Sequence, residues 1–190
     1  MNQIQTELPM LRHAGAVIEY TVHEDDLEER DFPPIQDRTW GPIPPLAGSI
    51  DIGLLCRREP GPICFRASGN IATLFLPIGK ALLDLVIAYD PVQKSSPPIT
   101  IKGLFTIEIE LDRLMIAPLS NHPRFGSKFA ASFAQFSEEL FPTAEAVAID
   151  HLYFFRNREE AEVLRAFETK MKSFRTEIWN LSIEQEKAKM

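Results

Sequence analysis

IDHLYFFRNREEAEVLRAFETKMKSFRTEIWNL, residues Ile149–Leu181, contains two different periodicities, and the boundary between them decides the fold. Ile149, Leu152, Tyr153, Phe154 and Phe155 make a short apolar run that predicts a strand. Asn157 then stands at an N-cap position, and Glu160, three residues on, completes an Asn-x-x-Glu capping box. Beyond it Leu164, Phe167, Met171, Phe174, Ile178 and Leu181 recur at spacings of three and four, the stripe of an amphipathic helix. The stripe lasts about two and a half heptads, short of the length that argues for a coiled coil. Leu164 to Phe174 are therefore expected to cover the chain's own sheet. Ile178, Trp179 and Leu181 remain as candidate partner-binding residues at the helix tip, followed by a polar tail at 182–190.

Upstream, Phe129, Phe133, Phe136 and Leu140 form one stripe of a second helix, predicted over Ser127–Phe141 and stopped by Pro142. Ile99–Leu111 alternates, with Phe105, Ile107, Ile109 and Leu111 on one face and Thr106, Glu108 and Glu110 on the other. Leu114–Leu119 extends or pairs with that strand. Gly15–Val22 predicts a first strand, and Ser49–Arg57 with Ile63–Ala67 predicts a hairpin around Glu59-Pro60-Gly61-Pro62. A turn centred on Pro60 sets Cys56 opposite Cys64, as two buried thiols or, alternatively, a disulfide or half a metal site. Ile71–Leu76 predicts another strand. Residues 78–89 fit either period, and the Pro77/Gly79 break tips Leu82–Ala88 towards a strand.

Several strands, a helix, a strand and a long helix predict an α+β fold. The expected architecture is a mainly antiparallel sheet with two helices, at about 127–141 and 158–181, packed on one face. At 190 residues the chain suits a single domain. Residues 32–48 carry five prolines around Trp40 and form a loop or arm. Trp40 either pins this segment to its own domain or anchors it on a partner, which makes Trp40 a candidate partner-binding residue.

Hydrophobic residues make up 45% of the chain and charged residues 25%, the balance of a globular protein with a real core. Thirteen Phe residues, which have no polar handle, are expected to fill that core. A net charge of −7 argues against a general nucleic-acid binder. Residues 1–10 lack a signal-peptide pattern, and Ile71–Tyr89, the longest apolar stretch, is broken by Lys80 and Asp84. With only two cysteines, the expected compartment is the cytoplasm.

The chain has no glycine-rich phosphate loop, nucleophile elbow, zinc-binding His-Glu-x-x-His or paired Cys-x-x-Cys. No cofactor and no metal is expected. The acidic run at 24–29 lacks the glycine and alternating ligands of a cation loop, so a solvated segment is the simpler reading. His13 and His23 flank the first strand. His122 with Asp150 or His151 is the best catalytic candidate, because all three sit at ends of predicted elements. Arg156, Arg158, Arg165 and Lys172 are the nucleic-acid-binding candidates, although interspersed glutamates make a salt-bridged face the simpler reading.

The function expected from these features is that of a non-enzymatic interaction or regulatory protein that docks to a protein partner, with homo-oligomerisation open. The alternatives are a small hydrolase or nuclease with a dispersed His/Asp/Glu site, or a nucleic-acid-binding accessory protein.

Overall fold

Asn70 is where the chain turns from sheet to helix, and it organises the centre of the molecule. A computed structural model describes residues 15–22, 35–44, 47–56, 59–101, 103–111, 113–119, 128–152 and 158–187. Strands β1 (Gly15–Val22), β4 (Ala47–Cys56) and β5 (Glu59–Asn70) form an antiparallel sheet in the order β1-β4-β5. Between the first two lies a small hairpin of β2 (Ile35–Asp37) and β3 (Gly41–Ile43). β5 runs directly into α1 (Ile71–Ile87), whose N-cap is Asn70. The Asn70 Oδ1 accepts from the backbone N–H groups of Ala72 (3.0 Å) and Thr73 (3.3 Å).

α1 is buried on nearly every side, from Ile71 and Leu74 to Leu85 and Val86. A helix that is apolar all round has to be enclosed. It packs against α3 (Arg158–Lys187), α2 (Phe133–Leu152) and strands of both larger sheets. This corrects the strands expected at Ile71–Leu76 and Leu82–Ala88. Neither Pro77 nor Gly79 breaks the helix, because burial of its flanks outweighs the lost backbone hydrogen bond.

The second sheet runs β6 (Ile99–Ile101), β7 (Phe105–Glu110), β8 (Arg113–Pro118), β9 (Phe129–Ala131), all antiparallel. One row of side chains, Ile99, Ile107, Ile116 and Phe129, crosses all four strands in register and faces the core. Phe105, Ile107 and Ile109 are buried as their alternation predicts. Two positions depart from a single strand over Ile99–Leu111. The chain reverses at Gly103 (φ 76°), and Leu111, in the tight turn to β8, takes φ 49° and points outward. Leu114–Leu119 pairs with β7 rather than extending it.

The Phe-rich helix is displaced from its expected bounds of 127–141. Phe129 belongs to β9, and α2 starts at Phe133, continues through Pro142 and ends at Leu152. The strand expected at Ile149–Phe155 is therefore helical as far as Leu152; Tyr153–Phe155 and the N-cap residue Asn157 lie outside the described residues. Pro142 is exposed, so its ring faces solvent while Leu140, Phe141 and Ala144 are buried beside it.

α3 carries the expected stripe, with Leu164, Phe167, Met171, Phe174 and Ile178 all buried. The structure lays α3 on α1, α2 and β3. The helix also runs on to Lys187, through most of the segment expected to be a polar tail. In the β4–β5 hairpin Cys56 pairs with Glu59, so the expected turn Glu59-Pro60-Gly61-Pro62 belongs to β5. Cys64 lies on β5 beyond Ile63, the partner of Gly53, and this separates it from Cys56 by more than about 10 Å of strand rise. The pairing expected for these cysteines is thus replaced by a register that keeps them beyond disulfide reach.

The fold is mixed α and β, with three helices and antiparallel sheets among the described residues. One continuous set of buried side chains joins both larger sheets and all three helices.

Candidate functional site

α2 and α3 run side by side, and a groove of about 750 Å³ opens between them. Its apolar part is made by Phe133 and Phe141 from α2 and by Ile178 and Trp179 from α3. Phe133, Ser137, Phe141 and Glu145 follow one another at i+4 along α2, so a single helical row supplies that wall. Lys172, Arg175, Thr176 and Trp179 are spaced by three, four and seven and supply the other. Phe141 and Ile178 are buried and form the floor, whereas Trp179 is 68% exposed on the lip.

Charge divides by wall. The acidic side chains of the groove, Glu138 and Glu145, are on α2, and the basic ones, Lys172 and Arg175, are on α3. Arg175 Nη1 reaches Glu145 Oε1 across the groove at 3.4 Å, a long and half-exposed pair. Lys172 Nζ donates instead to Glu168 Oε1 at 2.6 Å, one turn back on its own helix. That hydrogen bond raises the Lys172 pKa above its ordinary value; partial desolvation opposes it, and the charges of Glu168 and Glu145 reinforce it. Glu138 makes no ion pair among the described residues. Ser137 Oγ is shielded from solvent and has no hydrogen-bond partner there.

A shallower depression of about 500 Å³ lies where β1 meets α2, beside Ile18, Glu19 and Thr143. Thr143 Oγ1 donates to the Ile18 carbonyl at 3.4 Å across that junction. Tyr20 also lines it, but its one charged lining residue is Glu19, so it lacks the opposed charges of the α2–α3 groove.

The groove brings together Ile178, Trp179 and Lys172 from the sequence-derived candidates. Leu181 is half-buried against the core beside them. Trp40 is elsewhere: its ring meets Phe174 edge to face, with centroids 6.2 Å apart. The β2–β3 turn aims it there. Asp37 Oδ1 accepts from the N–H groups of Thr39 (2.7 Å) and Trp40 (3.0 Å), and Gly41 takes the left-handed conformation that closes the turn.

Asp150 and His151 fall on the last turn of α2, and Arg158 is the first residue of α3. Arg165 is exposed on α3, seven residues before Lys172. His13, His23, His122, Arg156 and the acidic run at 24–29 lie outside the described residues. No group of three metal-capable side chains occurs among the described residues. No described helix is long and apolar enough to cross a membrane. The α2 wall was missed by sequence reasoning, because the helix was expected to stop at Pro142, inside the i+4 row from Phe133 to Glu145.

No protein-family profile, curated protein or solved structure matches the chain.

Proposed function

We propose that this protein acts in the cytoplasm by docking to another protein, without catalysing a reaction, and that the α2–α3 groove is the docking site. The observation that carries this reading is Trp179, two-thirds exposed on the lip of an apolar groove. A large aromatic left in water beside a concave apolar surface gains most when a partner covers both. The charged rim adds orientation, since opposed acidic and basic walls favour one register of an incoming surface over its reverse. The nucleic-acid alternative has less support, because Lys172 and Arg175 already face Glu168 and Glu145. The hydrolase alternative, His122 with Asp150 or His151, has only Asp150 and His151 among the described residues, both on the last turn of α2.

The test is affinity capture from the native host with the full chain and two variants. Trp179→Ala should lose the proteins that the unchanged chain retains. Val92→Ser, which alters an apolar residue that is still more exposed and lies outside the groove, should retain them. Equal capture by all three removes the groove from the interaction.

A further inference from the structure

We infer that the occupant of the α2–α3 groove is the same groove of a second copy of this chain, in a two-fold dimer where each copy contributes Trp179 to the other's site. The inference rests on the docking reading and deepens it by naming the partner.

Two observations carry it. The first is shape. The surface holds both a projection and a recess side by side: Trp179 stands 68% exposed, and the groove beside it is bordered by Ala134, small and exposed, and by half-buried Phe133. An isologous interface needs exactly one self-complementary patch, in which the projection of each copy meets the recess of the other.

The second observation is charge. A two-fold axis parallel to the helices crosses the walls, setting α2 of one copy over α3 of its partner. Glu145 and Arg175 are level with each other across the groove, so this operation sets Glu145 of each copy against Arg175 of the other, with Lys172 about one turn away. These crossed contacts are attractive, whereas a two-fold axis across the helices stacks α2 on α2 and sets acid against acid. The long Arg175–Glu145 contact can share its guanidinium with the second copy at small loss, because a half-exposed pair at 3.4 Å contributes little on its own. The product is a four-helix interface with the aromatic side chains at its centre and the charges at its rim.

Sedimentation velocity of the full chain over a concentration series tests this. The unchanged protein should dimerise. Trp179→Ala should weaken self-association about thirtyfold or more, as expected for a central aromatic anchor. Glu145→Lys and Arg175→Glu should each be monomeric, since each sets like charges together twice in its homodimer. An equimolar mixture of these two variants should dimerise again, because both crossed 145–175 contacts in the mixed pair are attractive. Recovery in the mixture also shows that both variants are folded.

A monomer at every concentration overturns the second copy as occupant. The docking reading then stands or falls on whether Trp179→Ala loses captured proteins. A dimer unaffected by Trp179→Ala places the self-contact on another surface and overturns the inference. Two monomeric variants that fail to recover on mixing overturn the crossed-wall geometry.

Discussion

Trp40 and Phe174 meet edge to face, with ring centroids 6.2 Å apart and ring planes at 81°. This contact ties a proline-rich segment to the long helix α3. Lys170 Nζ lies 5.1 Å from the centroid of the same Phe174 ring, which therefore has a partner on its face as well. Trp40→Ala should cost about 2–3 kcal/mol of stability, less than a fully buried tryptophan because the ring is half-buried. A double-mutant cycle with Phe174→Leu should give a coupling of about 0.5–1.5 kcal/mol, read from urea denaturation. Strict additivity would show that the two rings stabilise the fold independently.

Gly79 sits where side chains of α3 press closely on α1. A Cβ placed there would lie 3.1 Å from Met171 Cε and 3.1 Å from Phe174 Cδ2. Gly79→Val should therefore destabilise by about 1–3 kcal/mol, because overpacking at a helix crossing exceeds any gain in helix propensity. Met171→Ala alone opens a cavity and should also destabilise. The two changes together should cost less than their sum, since the added methyl groups occupy the space the thioether leaves. Full additivity in chemical denaturation would contradict a direct contact.

Asn70 has two functions, and they can be separated. Its Oδ1 caps α1, while its Nδ2 donates to the Pro44 carbonyl at 2.7 Å and tethers the end of the proline-rich segment. Asn70→Asp keeps an equally good N-cap acceptor but turns the donor into a second acceptor against that carbonyl. It should lose about 1–2 kcal/mol, although cap preference alone predicts no loss. Thermal denaturation of Asn70→Asp beside Asn70→Ala decides the point: unchanged stability in the aspartate variant would make the Pro44 tether energetically silent.

How much of this was legible depends on which interactions are local. β1, the Phe105–Ile109 alternation and the α3 stripe were readable because one element's own periodicity specifies them. Pro77 and Pro142 misled for a common reason. Each removes a backbone donor, so local chemistry ends a helix there, yet each sits inside one. What outweighs the local penalty is burial of distant partners: Phe75 and Ile78 flank Pro77, and Phe141 and Ala144 flank Pro142. The groove shows the same division. Ile178 and Trp179 stood out as a helix tip with apolar residues. The opposing row ending at Glu145 became visible only once α2 was known to pass Pro142 and reach Arg175.

Lys128 gives the fold a pH-dependent clamp. It lies just before β9, and its ammonium reaches across β8 to β7, donating to Glu108 Oε1 at 2.6 Å and also to Glu110 Oε1. Partial desolvation disfavours the ammonium, but the two carboxylate hydrogen bonds and their charge outweigh it and raise its pKa above the ordinary 10.5. A pKa raised by folding means that the clamp's contribution is complete below the unfolded lysine's pKa. It is lost as pH rises through the folded value. The lysine is 36% exposed and Glu110 48%, so solvent screening limits the contribution to less than about 1 kcal/mol. Lys128→Met should therefore be slightly less stable than the unchanged protein, by a margin that stays level from neutral pH to about 10. Above the raised lysine pKa the two melting temperatures should converge, and added salt at neutral pH should narrow the gap in the same way. A gap that persists through alkaline pH would mean that the lysine stem contributes by packing on the sheet, and that its charge contributes nothing.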